Sequence, residues 1–403
     1  MRKLRKLREL GLLDKMRKRD LKNRNLIFLF IGYFFTLITG TLISFFLPFY
    51  LKETGMNILE IGVLFTIGLA LGSFVVGLLF SNAQKKIKLK TGLNLSSLFY
   101  FLASFIFFVI PTTIGIVVSN VFTGIGKTTF KISTDVTMQH NSNKKNHRKI
   151  SSYSLITDSI SIIVGLALSI ILIKSVGFRI SLLFFSGFAV ISFFVYYYIK
   201  EETRFKIKSA SKLPKIRLDL KLILLSEILY WLGLGASFSL VITFLVTDTF
   251  SGSIGWIAVL FIALYLSITI TILLTKKFLD KINLYISSIF GMFILLLSAL
   301  LVILSRNIYF VLVAMVLEGI GAGIWVPSKT ALYWGFTKPE LREIVSGYLN
   351  GLRVFASTIG PLVGGILVFY FNILAPFYFK VVIALTSIGI YTYLMKKKGK
   401  LRE

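Results

Sequence analysis

The chain has 403 residues, of which 56% are hydrophobic and 16% charged, and its 46 Lys and Arg against 17 Asp and Glu give a formal net charge of +29. Soluble domains hold roughly 45–50% apolar and about 25% charged residues, so a composition this rich in Leu, Ile and Phe excludes both an ordinary soluble domain and a disordered chain. The absence of cysteine excludes a disulfide framework, a thiol nucleophile and a cysteine zinc site, and a nucleic-acid binder would need its cations gathered on one folded surface.

The cations are instead divided by long apolar runs. Residues 1–24 hold eleven Lys and Arg, with Leu4, Leu7, Leu10, Leu13 and Met16 at near-helical spacing. This segment is either a solvated basic tail or a helix lying on an anionic leaflet. Then come stretches with no charge at all: Asn25–Leu51, Ile61–Gln84, Thr91–Gly126, Ile180–Ile199, Ile228–Thr247, Thr249–Thr275, Leu284–Ser305 and Val354–Phe379. A bilayer core of about 30 Å needs about 20 apolar helical residues. The first run is too long for the apolar core of a signal peptide, and no small-residue cleavage site ends it.

Thr91–Gly126 divides at Pro111-Thr-Thr, and spans with interior charges occupy 113–135, 149–174 and 307–333. The pattern predicts twelve helices, near 26–51, 57–81, 91–110, 113–135, 149–174, 178–199, 221–247, 254–275, 284–304, 307–333, 344–370 and 376–395. Lipid offers the backbone no partners, so the spans are helices or a closed barrel. Their length, without ten-residue alternation, excludes the barrel.

The cations also predict orientation. The N-terminal segment, the connections after helices 2, 4, 6, 8 and 10, and the C-terminus carry 37 of them; the opposite side carries Lys52, Lys174, Arg179, Arg306 and Lys380. The positive-inside rule therefore puts both termini in the cytoplasm.

Sliding the sequence by 195 positions aligns Gly124–Leu172 with Gly319–Leu367 without a gap, with nine identities in 49 positions, including Gly124/Gly319, Gly126/Gly321, Ser133/Ser328 and Gly165/Gly360. A slide of 196 aligns Ile61-Gly-Val-Leu-Phe with Ile257-Ala-Val-Leu-Phe. Helices 2, 4 and 5 thus correspond to 8, 10 and 11, which makes two parallel six-helix halves. The expected organisation is a basic segment at 1–24, a first half at 25–199, a linker at 200–220, a second half at 221–396 and a tail at 397–403.

Local motifs accompany the repeat. Helix 2 ends in Gly77-Leu-Leu-Phe-Ser81-Asn82-Ala-Gln84-Lys-Lys86, and its second-half copy includes Asp280-Lys281-Ile-Asn283. Helix 4 carries Gly124-Ile-Gly126, four residues after Asn120, and helix 11 carries Gly360-Pro-Leu-Val-Gly-Gly365. With the twelve-helix repeat, these features resemble the major facilitator superfamily over essentially the whole chain. Ser81-Asn82 stands where that family's loop has Asp-Arg. The Gly-Pro-x-x-Gly-Gly pattern that many of its antiporters carry in helix 5 stands here in helix 11. The resemblance implies an all-α membrane fold of twelve helices in two six-helix pseudo-repeats, alternating access about a midplane site, and a cavity lined by helices 1, 4, 7 and 10.

A charge inside a membrane helix usually faces a cavity or a partner. Glu318 lies mid-helix 10 with Ala322, Trp325 and Lys329 following on one face, and is the first candidate for a group that takes up and releases a coupling proton. Glu227, with Tyr230 and Trp231 near its face in helix 7, suits a cationic or amphipathic substrate, with a cation–π contribution. Lys127 and Lys131 favour an anionic one, although Asp135 at i+4 from Lys131 predicts partial neutralisation within the helix. Asp158 and Arg353 occupy the same repeat position and, with Asp135 and Asp280, are candidates for gating or structural pairs. Tyr33, Thr36, Gly40 and Ser44 form a polar stripe on helix 1. His140 and His147 fall in a loop with no acidic neighbours at ligand spacing, so no metal site is expected.

Gly124-Ile-Gly-Lys-Thr-Thr lacks the first glycine of a phosphate-binding loop and lies within a membrane helix. Without a nucleotide site, energy must come from a gradient. The expected function is secondary active transport of small organic molecules by proton-coupled efflux, in the plasma membrane, by a monomer without a cofactor. Its partners are the bilayer, the substrate and protons, and no nucleic acid. The alternatives are an uptake symporter or uniporter for an organic anion or sugar and, more remotely, a non-transporting scaffold or sensor. Paired aspartates, a His-rich motif or Ser with His are lacking, so no enzyme is expected.

Overall fold

The computed structural model describes residues 12–83, 89–140, 147–200, 218–279, 282–336 and 342–400. Residues 1–11, most of the 200–220 linker, Asp280 and the last three residues of the tail lie outside the described residues, as do the side chains of the Gly77–Lys86 motif. The described residues are almost entirely helical: α1 (Leu12–Glu53), α2 (Ile58–Ala83), α3 (Leu89–Val109), α4 (Thr113–His140), α5 and α6 (147–176 and 178–197), α7 (Leu218–Thr249), α8 (Ile254–Leu279), α9 (Leu284–Ile303), α10 (Ile308–Phe336), α11 (Arg342–Tyr370) and α12 (Ala375–Lys400).

Nine helices among the described residues are long and apolar enough to cross a bilayer. One of these, Ile150–Tyr197, has 48 residues; at about 1.5 Å per residue it is about twice a bilayer's thickness. It is two spans, because Gly177 sits at φ +83°, φ space open to glycine and strained for other residues, and breaks the helix there. A shorter apolar helix, Ile58–Ser73, forms most of α2. The remaining span, α4, is the polar one, carrying Asn120, Thr123, Lys127, Lys131 and Asp135 in its length. Twelve spans result.

Three boundaries differ most from the sequence expectation. The first span begins at Leu12, so the second half of the basic 1–24 segment is helical and continuous with it. Helix 7 is interrupted at Phe238, where the dihedrals leave the helical region, and finishes in a π turn over Leu245–Thr249. Helix 12 spans Ala375–Lys400, longer than the expected 376–395 at its basic end, and holds Lys380 five residues from its start.

Packing repeats with the sequence. In the first half α1 packs on the continuous α5–α6 stretch, α2 and α3 on α4, and α3 on the same α5–α6 stretch; in the second, α7 packs on α11 and α12, α8 and α9 on α10, and α9 on α12. The halves meet through α2 with α11 and through the α5–α6 stretch with α8, again a symmetric pair. An even number of spans puts both termini on one side, called here the basic side. Toward the opposite, far side, one apolar cluster includes residues from both halves, among them Phe45, Phe46, Val241, Phe261 and Leu264. Toward the basic side each half keeps its own core: Tyr33, Phe130 and Tyr196 in one, Tyr230, Trp325 and Tyr391 in the other.

Candidate functional site

A cavity of about 130 Å³ opens against α4 in the first half. Its wall is part polar, with Thr41, Ser44, Asn120, Thr123, Lys127 and Lys131, and part apolar, with Phe45 and Phe65 among the side chains that complete it. Helices 1 to 5 supply this lining, so α7 and α10, expected to share it, do not. The polar stripe of α1 is divided: Gly40 and Ser44 reach the cavity, whereas the Thr36 hydroxyl lies 3.0 Å from that of Tyr196.

Lys127 and Lys131 share this wall and differ in their company. Lys131 Nζ donates to Tyr33 Oη at 3.1 Å and lies 3.6 Å from Asp158 Oδ2 on α5. Ser154 Oγ, one turn before Asp158, lies 3.5 Å from the same Tyr33 oxygen. Lys127 has neither an ion pair nor a hydrogen-bonding side chain among the described residues. Asp135, expected to neutralise Lys131 along the helix, turns instead across to the second half, where its Oδ2 lies 3.9 Å from Arg353 Nη1. An i,i+4 pair is worth only tenths of a kcal/mol, too little to hold a side chain that has a cation on a neighbouring helix.

A second cluster lies within the other half. Glu227 of α7 is fully buried, and its Oε1 accepts from both Lys329 of α10 and Arg353 of α11. Two cations on one carboxylate leave a net positive charge, which Asp135 offsets from the first half. The acid is on α7 and the cations on α10 and α11, whereas the first half has its cation on α4 and its acid on α5. Asp158 and Arg353, equivalent in the repeat, therefore hold different partners.

The other candidates are dispersed. Glu318 is 3% exposed and lies 2.8 Å from Lys380 of α12. Trp325 is fully buried, donates Nε1 to Tyr391 Oη at 3.2 Å, and packs on Tyr230 at 4.3 Å between ring centroids. Lys329 lies 4.7 Å from the Trp325 ring. The Trp231 indole N–H is buried without a hydrogen-bond partner among the described residues. Trp325, Lys329 and Glu227 are thus brought together, and Glu318 is turned away from them.

Two features escaped the sequence reading. The sequence counts Lys380 only as a far-side cation, and its place within the expected helix 12 is the signal that it is an interior charge. The other is a far-side ion pair between Lys52 at the end of α1 and Asp248 in the π turn of α7, joined by Thr247. These positions differ by 196, so they are repeat equivalents of opposite charge, and that coincidence was open to reading.

Known proteins share this arrangement. The human organic anion transporter MFSD10 (TETRAN) superposes with a TM-score of 0.74 at 16% identity, covering 92% of this chain and 99% of that one. A bacterial homologue of the iron transporter ferroportin in an outward-facing state gives 0.72 at 14% identity, covering 93% and 99%. At such identity the likeness concerns the fold. In sequence, the chain is 34% identical over 95 residues to the proton-coupled antiporter flippase LtaA of Staphylococcus epidermidis, and spans about a quarter of that protein's length in the match, 24% against 23% of its own. The profile of the Major Facilitator Superfamily matches residues 29–252 and again 223–402. With the repeated packing and the twelve spans, this match makes the chain a multi-pass membrane protein belonging to the major facilitator superfamily of transporters.

Proposed function

We propose that the chain carries an organic anion with an apolar body across the plasma membrane by alternating access, coupled to protons. The observation that supports this most is Lys127, a cation on the wall of a largely apolar cavity with no carboxylate partner among the described residues. A lysine desolvated without a partner is costly, and an anionic ligand offsets that cost while Phe45 and Phe65 take its apolar part. Glu227 does not serve a cationic ligand in this arrangement, because two protein cations already occupy it.

Counterflow in proteoliposomes tests the reading. Lys127→Ala should lower exchange of organic sulfonates and carboxylates at least tenfold, the scale of losing one charged contact, while Lys127→Arg keeps a substantial part. Anion exchange that is indifferent to Lys127→Ala would reject the anion site.

Proton-driven efflux is a second reading, favoured by the 95-residue likeness to a proton-coupled antiporter. It requires the proton and the substrate to exclude one another. An inward proton gradient applied to preloaded vesicles should then accelerate anion exit, whereas a cotransporter would accelerate entry.

A further inference from the structure

We infer that Asp158 is the proton-carrying group of this transporter and that it takes up its proton together with the bound anion, because Lys131 serves either the carboxylate or the anion and not both at once. The inference rests on reading the cavity as an anion site.

The geometry sets Asp158 apart from the other interior acids. Its cation, Lys131, is also part of the cavity wall. The pairing is loose, 3.6 Å against the roughly 2.7–2.9 Å of a charge-assisted hydrogen bond, and the ammonium is already held at 3.1 Å by Tyr33. The other carboxylate oxygen, Oδ1, is buried without a hydrogen-bond partner among the described residues, which leaves room for a proton. The two side chains are 20% and 31% exposed, so water reaches both. Glu227, in contrast, is fully enclosed by two cations, and Glu318 is closed off against Lys380.

The charged and titratable groups facing Asp158 are Lys131 and Asp135 from α4, Tyr33 from α1 and Tyr265 from α8. From α10, Lys329 turns to Glu227 instead. Among the described residues, Lys131 is therefore the one cation whose loss leaves Asp158 uncompensated. An anion that draws the ammonium into the cavity leaves the carboxylate near Asp135 with the Tyr33 hydroxyl and no cation to offset its charge, and a proton from water on the open side restores its balance. The reverse holds by linkage: protonated Asp158 releases Lys131, and the anion binds more tightly. One anion and one proton enter, so the loaded cavity has the same net charge as the empty one and both forms can rearrange across the membrane. On the other side the anion leaves, Lys131 returns, and the proton goes back to water. The sign of this coupling is cotransport.

The test uses the full chain in nanodiscs and 2-naphthalenesulfonate, an anion whose own charge is constant between pH 5.5 and 8. Calorimetric titration in two buffers of different ionisation enthalpy reads affinity and proton uptake together. Wild type should bind roughly tenfold more tightly at pH 5.5 than at pH 8, within the usual range of linked sites, and take up a proton on binding near neutral pH. Asp158→Asn should bind equally at both pH values with no uptake, and Asp158→Glu should retain both behaviours, which separates coupling from misfolding. Wild-type affinity that is flat with pH or tighter at pH 8, or an Asp158→Asn protein that keeps the pH dependence, overturns the inference and leaves the anion site standing. Absence of binding at every pH, or binding unchanged by Lys127→Ala and Lys131→Ala, removes the anion site itself and the inference with it.

Discussion

Glu318 and Lys380 each lose most of their water on folding, and each is held by the other. Removing one partner of a buried pair strands the second charge, typically at about 3–5 kcal/mol, whereas replacing both is often neutral. Glu318→Gln alone should therefore lower the thermal unfolding temperature in detergent, and Glu318→Gln with Lys380→Met should recover most of it. The double variant should also keep proton-driven transport. A stable double variant that has lost proton coupling would return Glu318 to the coupling role its mid-helix position suggests. That contrast shows what was readable at this scale. A charge within an apolar run is visible in sequence, and Glu227, Lys329, Asp158 and Arg353 were all found that way. Their partners were not visible, since i+4 neighbours were the ones on offer and the structure pairs Lys131 with Asp158, Asp135 with Arg353 and Glu318 with Lys380. A desolvated charge is worth several kcal/mol, so it takes its partner from whichever helix packs beside it.

Helix positions were legible because a bilayer imposes them: an uncharged run must be helical, and its length is set by the hydrocarbon thickness. Irregularities within a span were less so. The break at Phe238 lies within the uncharged run Ile228–Thr247, where nothing in the residue types marks it, and the π turn that follows carries that run's end at Asp248. The Gly360-Pro-Leu-Val-Gly-Gly motif becomes intelligible at the element scale. A Cβ on Gly360 would lie 2.4 Å from Gly235 Cα on α7, and one on Gly364 would lie 2.1 Å from the Ala236 carbonyl oxygen. On the other flank, Pro361 presents its carbonyl to Gly62 of α2, where a Cβ would lie 2.7 Å away. One helix thus touches its own half and the opposite half backbone to backbone, as small residues in membrane helices allow. Gly360→Ala should destabilise the protein by about 1–3 kcal/mol, the usual range for overpacking. Gly389→Ala, with nothing within 4 Å of the added methyl, is the matched control. Equal unfolding temperatures for the two variants would mean that α7 and α11 separate more easily than their packing implies.

For the whole molecule, the pseudo-two-fold relation decides where a residue can meet its own equivalent, which is only on the axis. Lys52 and Asp248 are such equivalents, and their pairing closes the far side where α1 and α7 converge over the shared apolar cluster. On the basic side the halves touch through α4 with α11, and the α5–α6 stretch with α10, and the link there is charged, Asp135 with Arg353. The two sides are therefore closed by different means. The far side has apolar burial with a half-exposed ion pair on top, and the basic side an ion pair between two separate cores. A partly exposed pair is worth at most about 1 kcal/mol, which changes a two-state population about fivefold. The basic side has less apolar surface to hold it, so losing its pair should matter more. The chain has no cysteine, so Ser44→Cys on the cavity wall supplies a single thiol whose alkylation reports which side is open. In vesicles of defined orientation, Asp135→Asn should raise labelling from the basic face several-fold and depress it from the far face. Lys52→Met should shift labelling the other way, and by less, because the apolar cluster beneath it remains. Equal and opposite shifts would mean that burial contributes nothing to the asymmetry, and that the two ion pairs alone set which way the transporter faces.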